Sequence, residues 1–570
     1  MARSLTSPSG VSLIASMLLA LVWPLAGAGF AQEGYAVGAG DLVASDAVSG
    51  DEYGLAVEAN GTHAAVGAPG RSEAALQAGA VYTFTRVAGQ WLPRQKLLPP
   101  LATEQDRFGL ALSLEGDTLL VGAPGSDASR PGAGAAFLYH FDGSQWVHAR
   151  TLRSPLPEAA SRFGQAVEAR GDFLFVGAPY HDAAGTNAGA VFVFDRFGQP
   201  VDGPRVLYNA GIEAGDEFGS SLACEASTLV IGAPGRATMG SWSGGAYVFL
   251  HQLGAWREVY DLTPTDLQSS SFFGRSVAIG GSRLLVGAAG DSQEQFLSGA
   301  VYGFEFGGDG WIQTQKLKAR LPRQGAQFGF SVDLALDRFV VGARYDPELA
   351  ANAGRVFLFT WEGTGWAEAQ SIGEIAPGHN HWFGAAVALL PGEVIVGAPH
   401  AQGATQDSGM VHVLSLQPGV PFCFGDGDSG ICPCGNESIG MGGCENSAGD
   451  GAHLYASGTS SAQGGSLAFH LQGARPGRTA LLAVGDVSLQ LSGSSLFGDG
   501  LLCVAGPRPL GVRVVGAGGV VDWSGTLVTS DPAWDLGETR AFQAIYRDVA
   551  TSPCGFGFNT SNAYAIERAP

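Results

Sequence analysis

The side chains of this sequence best suited to chemistry are two recurring sets of aspartates and one group of histidines. Asp51, Asp106 and Asp216 each stand two residues before an aromatic-Gly pair, and Asp127, Asp182, Asp291, Asp346 and Asp407 each follow a Gly-Ala pair. Carboxylates collected on loops suit contact with a cation, a sugar hydroxyl or a basic partner. The same carboxylates also cap turns by accepting backbone N–H groups. His379 and His381 precede Phe383-Gly384, and His400 follows Gly397-Ala398-Pro399. Imidazoles near an aspartate are ligands for zinc or copper, although this spacing matches no metal motif. The binding rim expected from these sets is Asp106, Asp127, Asp182, Asp291, Asp346, His379, His381 and His400. Nothing nominates a catalytic pair: there is no G-x-S-x-G elbow, no H-E-x-x-H and no phosphate loop. No catalytic residue, cofactor or metal is therefore assigned.

These residues are positioned by a repeat. The aromatic-Gly pair ends at Gly54, Gly109, Gly164, Gly219, Gly274, Gly329 and Gly384, always 55 residues apart. The Gly-Ala pair keeps the same period from Gly67 to Gly397. A fixed period of this size marks a repeat architecture. Within one repeat, Leu110 to Leu114, Thr118 to Val121, Ala135 to Phe141 and Trp146 to Ala149 read as four short strands separated by turn residues. That is the pattern of a β-propeller blade, and seven copies predict seven blades. Alanines in the first strand suit convergence on an axis, and aromatic or β-branched third strands suit the faces between blades.

Strand order also predicts which loops meet. The first strand starts at the aromatic-Gly pair and the second ends at Gly-Ala, so the loop before one and the loop after the other share a face. Blade seven lacks a Trp-led fourth strand after Val411-His412-Val413-Leu414. Tyr35 to Val43 is expected to supply it, joining the two ends of the ring and covering a sheet edge.

The order aromatic-Gly, Gly-Ala-Pro, Gly-Ala-Val-Tyr/Phe resembles the FG-GAP repeat, found in integrin α-chain propellers and in many exported bacterial proteins. The resemblance spans about residues 51 to 415. Three departures stand out: Tyr53 replaces Phe, and Ala289 and Arg344 replace the Pro. The calcium-binding type carries an Asp-rich loop between the two motifs, and here only tight turns such as Glu115-Gly116-Asp117 occupy that interval. The resemblance therefore implies the calcium-free bacterial subtype. Arg170-Gly171-Asp172, the tripeptide that integrins recognise, falls on one of these turns, where turn chemistry accounts for it.

The ends differ from the repeat. Residues 1–31 read as a signal peptide: Arg3 is the positive start, Val11 to Leu25 the apolar stretch, and the cut is expected after Ala31. No later run is long enough for a transmembrane helix. Residues 32–418 form the propeller, and 419–570 read as a small β-sandwich-like domain. That last domain is similar to a C-terminal module of planctomycete exported proteins, through its Cys432-Pro433-Cys434-Gly435 and Phe497 to Cys503 stretches. It holds Cys423, Cys432, Cys434, Cys444, Cys503 and Cys554, an even set expected to form disulfides of about 2–4 kcal/mol each, with pairing open. A net charge of −21 argues against nucleic acid. The combined expectation is a monomeric, secreted or cell-surface protein of adhesion type that contacts a protein or glycan through one propeller rim. An extracellular hydrolase or lyase using the same rim, or a surface scaffold, is the alternative.

Overall fold

The computed structural model describes residues 32–33, residues 41–416 apart from gaps of at most four residues, residues 420–422, and segments between 452 and 567. No α-helix occurs among the described residues. Each repeat forms one antiparallel sheet whose strands pair in chain order. In blade two these are Ala111–Glu115, Thr118–Ala123, Ala135–Phe141 and Trp146–Leu152. Blades one to five are four-stranded. Blade six gains a fifth strand, Gln32–Glu33, parallel to its fourth strand Trp366–Gly373. The first strand of every blade adjoins that of the next, and the last adjoins the first, so the first strands ring the axis. A closed ring of seven sheets is a β-propeller.

The repeated phrase is the contact between neighbouring blades. The aromatic of each aromatic-Gly pair bridges the Gly that precedes the third strand of the blade before it, as Phe108 bridges Gly79. Its ring then packs under its own third strand, with Phe108 and Phe137 centroids 5.3 Å apart. The Gly of the pair has φ between 88 and 95° in every blade, a left-handed conformation that a side chain would strain. The Gly of Gly-Ala has a different reason. A Cβ on Gly67 would come 2.0 Å from the carbonyl oxygen of Gly109 in the next blade, and the other six blades repeat this approach at 1.9–2.1 Å. Between blades, third-strand and Trp side chains fill the gap: Phe108, Phe137, Tyr139 and Trp146 of blade two share one core with Ala65, Val81 and Leu97 of blade one.

Blade seven has three strands, Ala386–Leu390, Glu393–Ala398 and Met410–Ser415. The expected fourth strand is reduced to one antiparallel bridge, in which Leu42 N–H donates to Val411 O at 2.9 Å. The rest of that expected strand, Tyr35 to Gly40, lies outside the described residues. Ring closure itself is complete, because Tyr53 bridges Gly409 and the Tyr53 hydroxyl donates to Leu42 O at 2.9 Å.

The last region forms a five-stranded sheet from Val420–Phe422, Phe558–Glu567, Thr539–Arg547, Thr479–Val487 and Val504–Val514. A three-stranded sheet comprises His453–Ser457, Ala468–Gln472 and Val521–Trp523. The two share one core around Trp523, Phe469, Phe542 and Tyr546. All six cysteines of this region lie outside the described residues.

Candidate binding face

Two loops per blade meet on the face where the aromatic-Gly pairs begin. In all seven blades a backbone hydrogen bond of 3.0–3.4 Å joins the loop after the second strand to the loop before the first, as from Gly70 N–H to Asp51 O and from His400 N–H to His381 O. The residue just before each aromatic is left-handed throughout: Glu52, Arg107, Arg162, Glu217, Phe272, Gln327 and Trp382 have φ of 52–58°. Seven side chains of very different chemistry are thereby held in one backbone geometry.

Most of the expected aspartates are structural. Asp106, Asp291 and Asp346 are buried and cannot form a contact rim. Asp106 accepts the N–H of Thr103 at 2.7 Å, and Asp291 is paired with Lys316 at 2.7 Å. Asp346 accepts Glu348 N–H at 3.0 Å and faces Arg355 at 4.0 Å. The position of Asp106 recurs as Asp51, Asp216 and Ser271, each of which accepts the N–H three residues earlier, and as His381, whose Nδ1 lies 3.2 Å from Gly378 N. The carboxylates there are caps, as their turn chemistry allows. Asp127 and Asp182 are exposed, and each accepts an N–H five residues on at 2.7 Å.

The histidines come together but do different things. His379, His381 and His400 line one groove of about 450 Å³ with Asn380, Trp382, Gln402, Gln406 and Asp407. His381 is itself buried, with Nδ1 2.6 Å from Glu374 Oε2, so its role is internal rather than at the rim. His400 Nδ1 lies 2.8 Å from Asp407 Oδ1, and its ring meets Trp382 edge-on at 4.2 Å. Among the described residues, no three His, Cys, Asp or Glu side chains are grouped to hold a metal ion.

The sequence reading missed an arc of aromatics and arginines on this face. The position after Gly-Ala-Pro is Gly in blades one, two, four and five, where a Cβ would come 1.9–2.1 Å from a carbonyl oxygen. In blades three, six and seven it is Tyr180, Tyr345 and His400, and the joining hydrogen bond there opens to 3.2–3.4 Å. Arg162 lies over Tyr180 at 4.6 Å, and Glu217 faces both the Tyr180 hydroxyl and Arg275. Phe330 has Arg275 at 4.5 Å and Arg344 at 3.5 Å from its ring centroid. Arg344 also lies 4.4 Å from Tyr345 and 5.3 Å from Trp382. Burial, and then repulsion from Arg275, hold the Arg344 guanidinium down to about 10, still charged at neutral pH. The signal available in the sequence was the substitution of Arg344 for the repeat's Pro.

Two other clusters complete the inventory. On the axis, Glu58, Glu168 and Asp333 occupy one repeat position. Burial raises all three carboxyls, Glu168 to about 8, with mutual repulsion adding at Glu58. Glu168 and Asp333 accept the N–H groups of Cys224 and Leu389 in the next first strand, at 3.1 and 2.7 Å. These acids therefore satisfy edge donors at the centre of the ring. At the opposite end, Arg170-Gly171-Asp172 lines a groove of about 590 Å³ and is held by its neighbours, with Gly171 N–H donating to Glu115 at 2.7 Å.

Comparison with known proteins agrees with the repeat. The family model described as FG-GAP repeat matches residues 39–84, 91–139, 146–194, 207–249, 256–304 and 311–359, together half of the chain. Four of these matches begin on the fourth-strand tryptophans Trp91, Trp146, Trp256 and Trp311. No curated protein matches the chain. Among solved structures, the uncomplexed acylaminoacyl peptidase of Pyrococcus horikoshii is similar at 11% identity and a TM-score of 0.36, over 73% of this chain and 57% of that one. The chain thus spans little more than half the length of that peptidase.

Proposed function

The chain belongs to the FG-GAP repeat family, and from that premise we propose that it is an exported, non-catalytic binding protein of adhesion type whose aromatic-Gly face holds a glycan. The observation that carries this reading is Trp382, half-buried at 4.2 Å from His400, beside a groove lined by Asn380, Gln402, Gln406 and Asp407. An indole offers a flat apolar surface to the carbon face of a sugar ring, while amides and a carboxylate meet its hydroxyls from the side. Few polar groups converging on an aromatic surface is the general make-up of a small-molecule site. Export is supported by the leader-like residues 1–31 and by the frequent extracellular use of the family.

A glycan array probed with the full chain tests the reading. Binding to at least one glycan is expected, weakened about tenfold or more by Trp382→Ala, which corresponds to about 1.4 kcal/mol. Turnover of any polysaccharide in a panel, or binding to a protein partner with no glycan retained, would displace it.

A further inference from the structure

The geometry points to an anion subsite beside Trp382: Arg275 and Arg344, on Phe330, take the single carboxylate or sulfate of an acidic sugar. This rests on the glycan reading and narrows it to a substrate class. Guanidiniums 4.5 and 3.5 Å from one ring centroid stand no more than about 8 Å apart. An anionic group at the edge of that ring would accept charge-assisted hydrogen bonds from Arg344 and feel the charge of Arg275. Among the described residues, neither arginine has a carboxylate within ion-pair distance. Arg344 gives Nε to Gln327 Oε1 at 3.0 Å, and its terminal nitrogens have no hydrogen-bond partner among the described residues. Arg275 lies against Phe330, with Glu217 and Tyr180 nearby. Two half-buried like charges repel, and a bound anion beside them offsets that repulsion. Other arginines of this face's loops have carboxylate partners, as Arg71 with Asp51 and Arg107 with Glu52.

Ring contacts fix the site's shape. Arg344, Tyr345 and Trp382 form one cluster, with Tyr345 and Trp382 centroids 5.2 Å apart and edge-on at 72°. A sugar ring on Trp382 would therefore hold a substituent within reach of Arg344. The net charge of −21 disfavours a dense polyanion, so the fit is to a sugar with an isolated acid group. The repeat supplies variants that keep the fold: Arg344→Pro restores the residue of blades one to four and seven, and Arg275→Leu restores that of blades one and two.

Isothermal titration of the full chain with cellobiouronate, glucose 6-sulfate and cellobiose tests the assignment. An acidic sugar should bind at least tenfold more tightly than cellobiose. Each arginine variant should remove that preference, so that acidic sugar and cellobiose bind equally within that variant. Arg344→Lys should keep part of it, since the charge remains and the bidentate fork is lost. Equal binding of acidic and neutral sugars overturns the subsite and leaves the glycan reading standing. Absence of binding to every sugar overturns both. An Asp-Glu peptide that binds through Arg344 more tightly than either acidic sugar overturns the sugar class.

Discussion

A Cβ built on Gly397 in blade seven would stand 1.9 Å from the carbonyl oxygen of Gly54 in blade one. This pair closes the ring with the same contact that joins every other pair of blades. It also sets the cost of disturbing closure, because the obstacle is backbone and cannot swing aside.

Gly397→Ala is therefore expected to destabilise the protein by about 3 kcal/mol or more, the upper end for overpacking. Gly61→Ala, where a Cβ meets nothing within 4 Å, should stay within about 0.5 kcal/mol of the parent. Urea unfolding of the two variants side by side checks this. Equal midpoints would mean that the blades do not meet through these glycines.

Tyr53 explains its own departure from the repeat's Phe. Its ring does the work of the other six, and its hydroxyl ties down Leu42 O at 2.9 Å in a buried setting. Tyr53→Phe should cost about 1–2 kcal/mol, the cost of leaving that carbonyl unpaired. Amide exchange at Leu42, which donates to Val411, should accelerate in the variant while exchange in blade three stays unchanged. Unaltered exchange at Leu42 would show that the N-terminal segment is held by other contacts.

Much of this fold was legible because a 55-residue period carries its geometry with it. Blade number, strand order and the meeting of two loops on one face all follow from the spacing of Gly54, Gly67 and their equivalents. The burial of Asp106, Asp291 and Asp346 did not follow, because a loop aspartate that caps a turn has the same sequence surroundings as one that faces water. His381 shows the ambiguity well: it fills a position where other blades use Asp or Ser, and its Nδ1 turns to Glu374 instead. The Arg275, Phe330 and Arg344 arc was hidden for another reason. Its members come from single positions in two successive blades, and only closure of the propeller brings both arginines onto Phe330.

Stability should fall as pH rises from about 5 to 9. Burial raises the Glu168 carboxyl from 4.5 to about 8, so the folded state binds a proton there that the unfolded chain has released. That contribution is full below about pH 4.5 and is lost as pH rises through 8. His412 acts in the same direction. Burial alone would lower it, but hydrogen bonds to Asp41 at 3.1 Å and Glu374 at 3.3 Å outweigh that and raise it to about 9. Its contribution is full below about pH 6.5 and is lost through pH 9. Each such proton changes stability by up to about 1.4 kcal/mol per pH unit inside its window. Unfolding midpoints measured at half-unit steps should decline over this range, and Glu168→Gln should flatten the part between pH 5 and 8. A profile that rises with pH in both proteins would contradict the assignment.

Cys224 separates the one described thiol from the six cysteines expected in disulfides. It is buried in the first strand of blade four, and burial, then the nearby Glu168, push its thiol well above the ordinary range. A thiol in that state is a poor nucleophile. A chromogenic disulfide reagent should therefore find no reactive thiol in the native protein at pH 7.5. In denaturant without reductant it should find one, because Cys423, Cys432, Cys434, Cys444, Cys503 and Cys554 would be paired in an exported chain. In denaturant after reduction it should find all seven. Seven thiols before reduction would remove the disulfide framework from the last domain, and a fast-reacting native thiol on Cys224 would mean that blades three and four open far more readily than their packing implies.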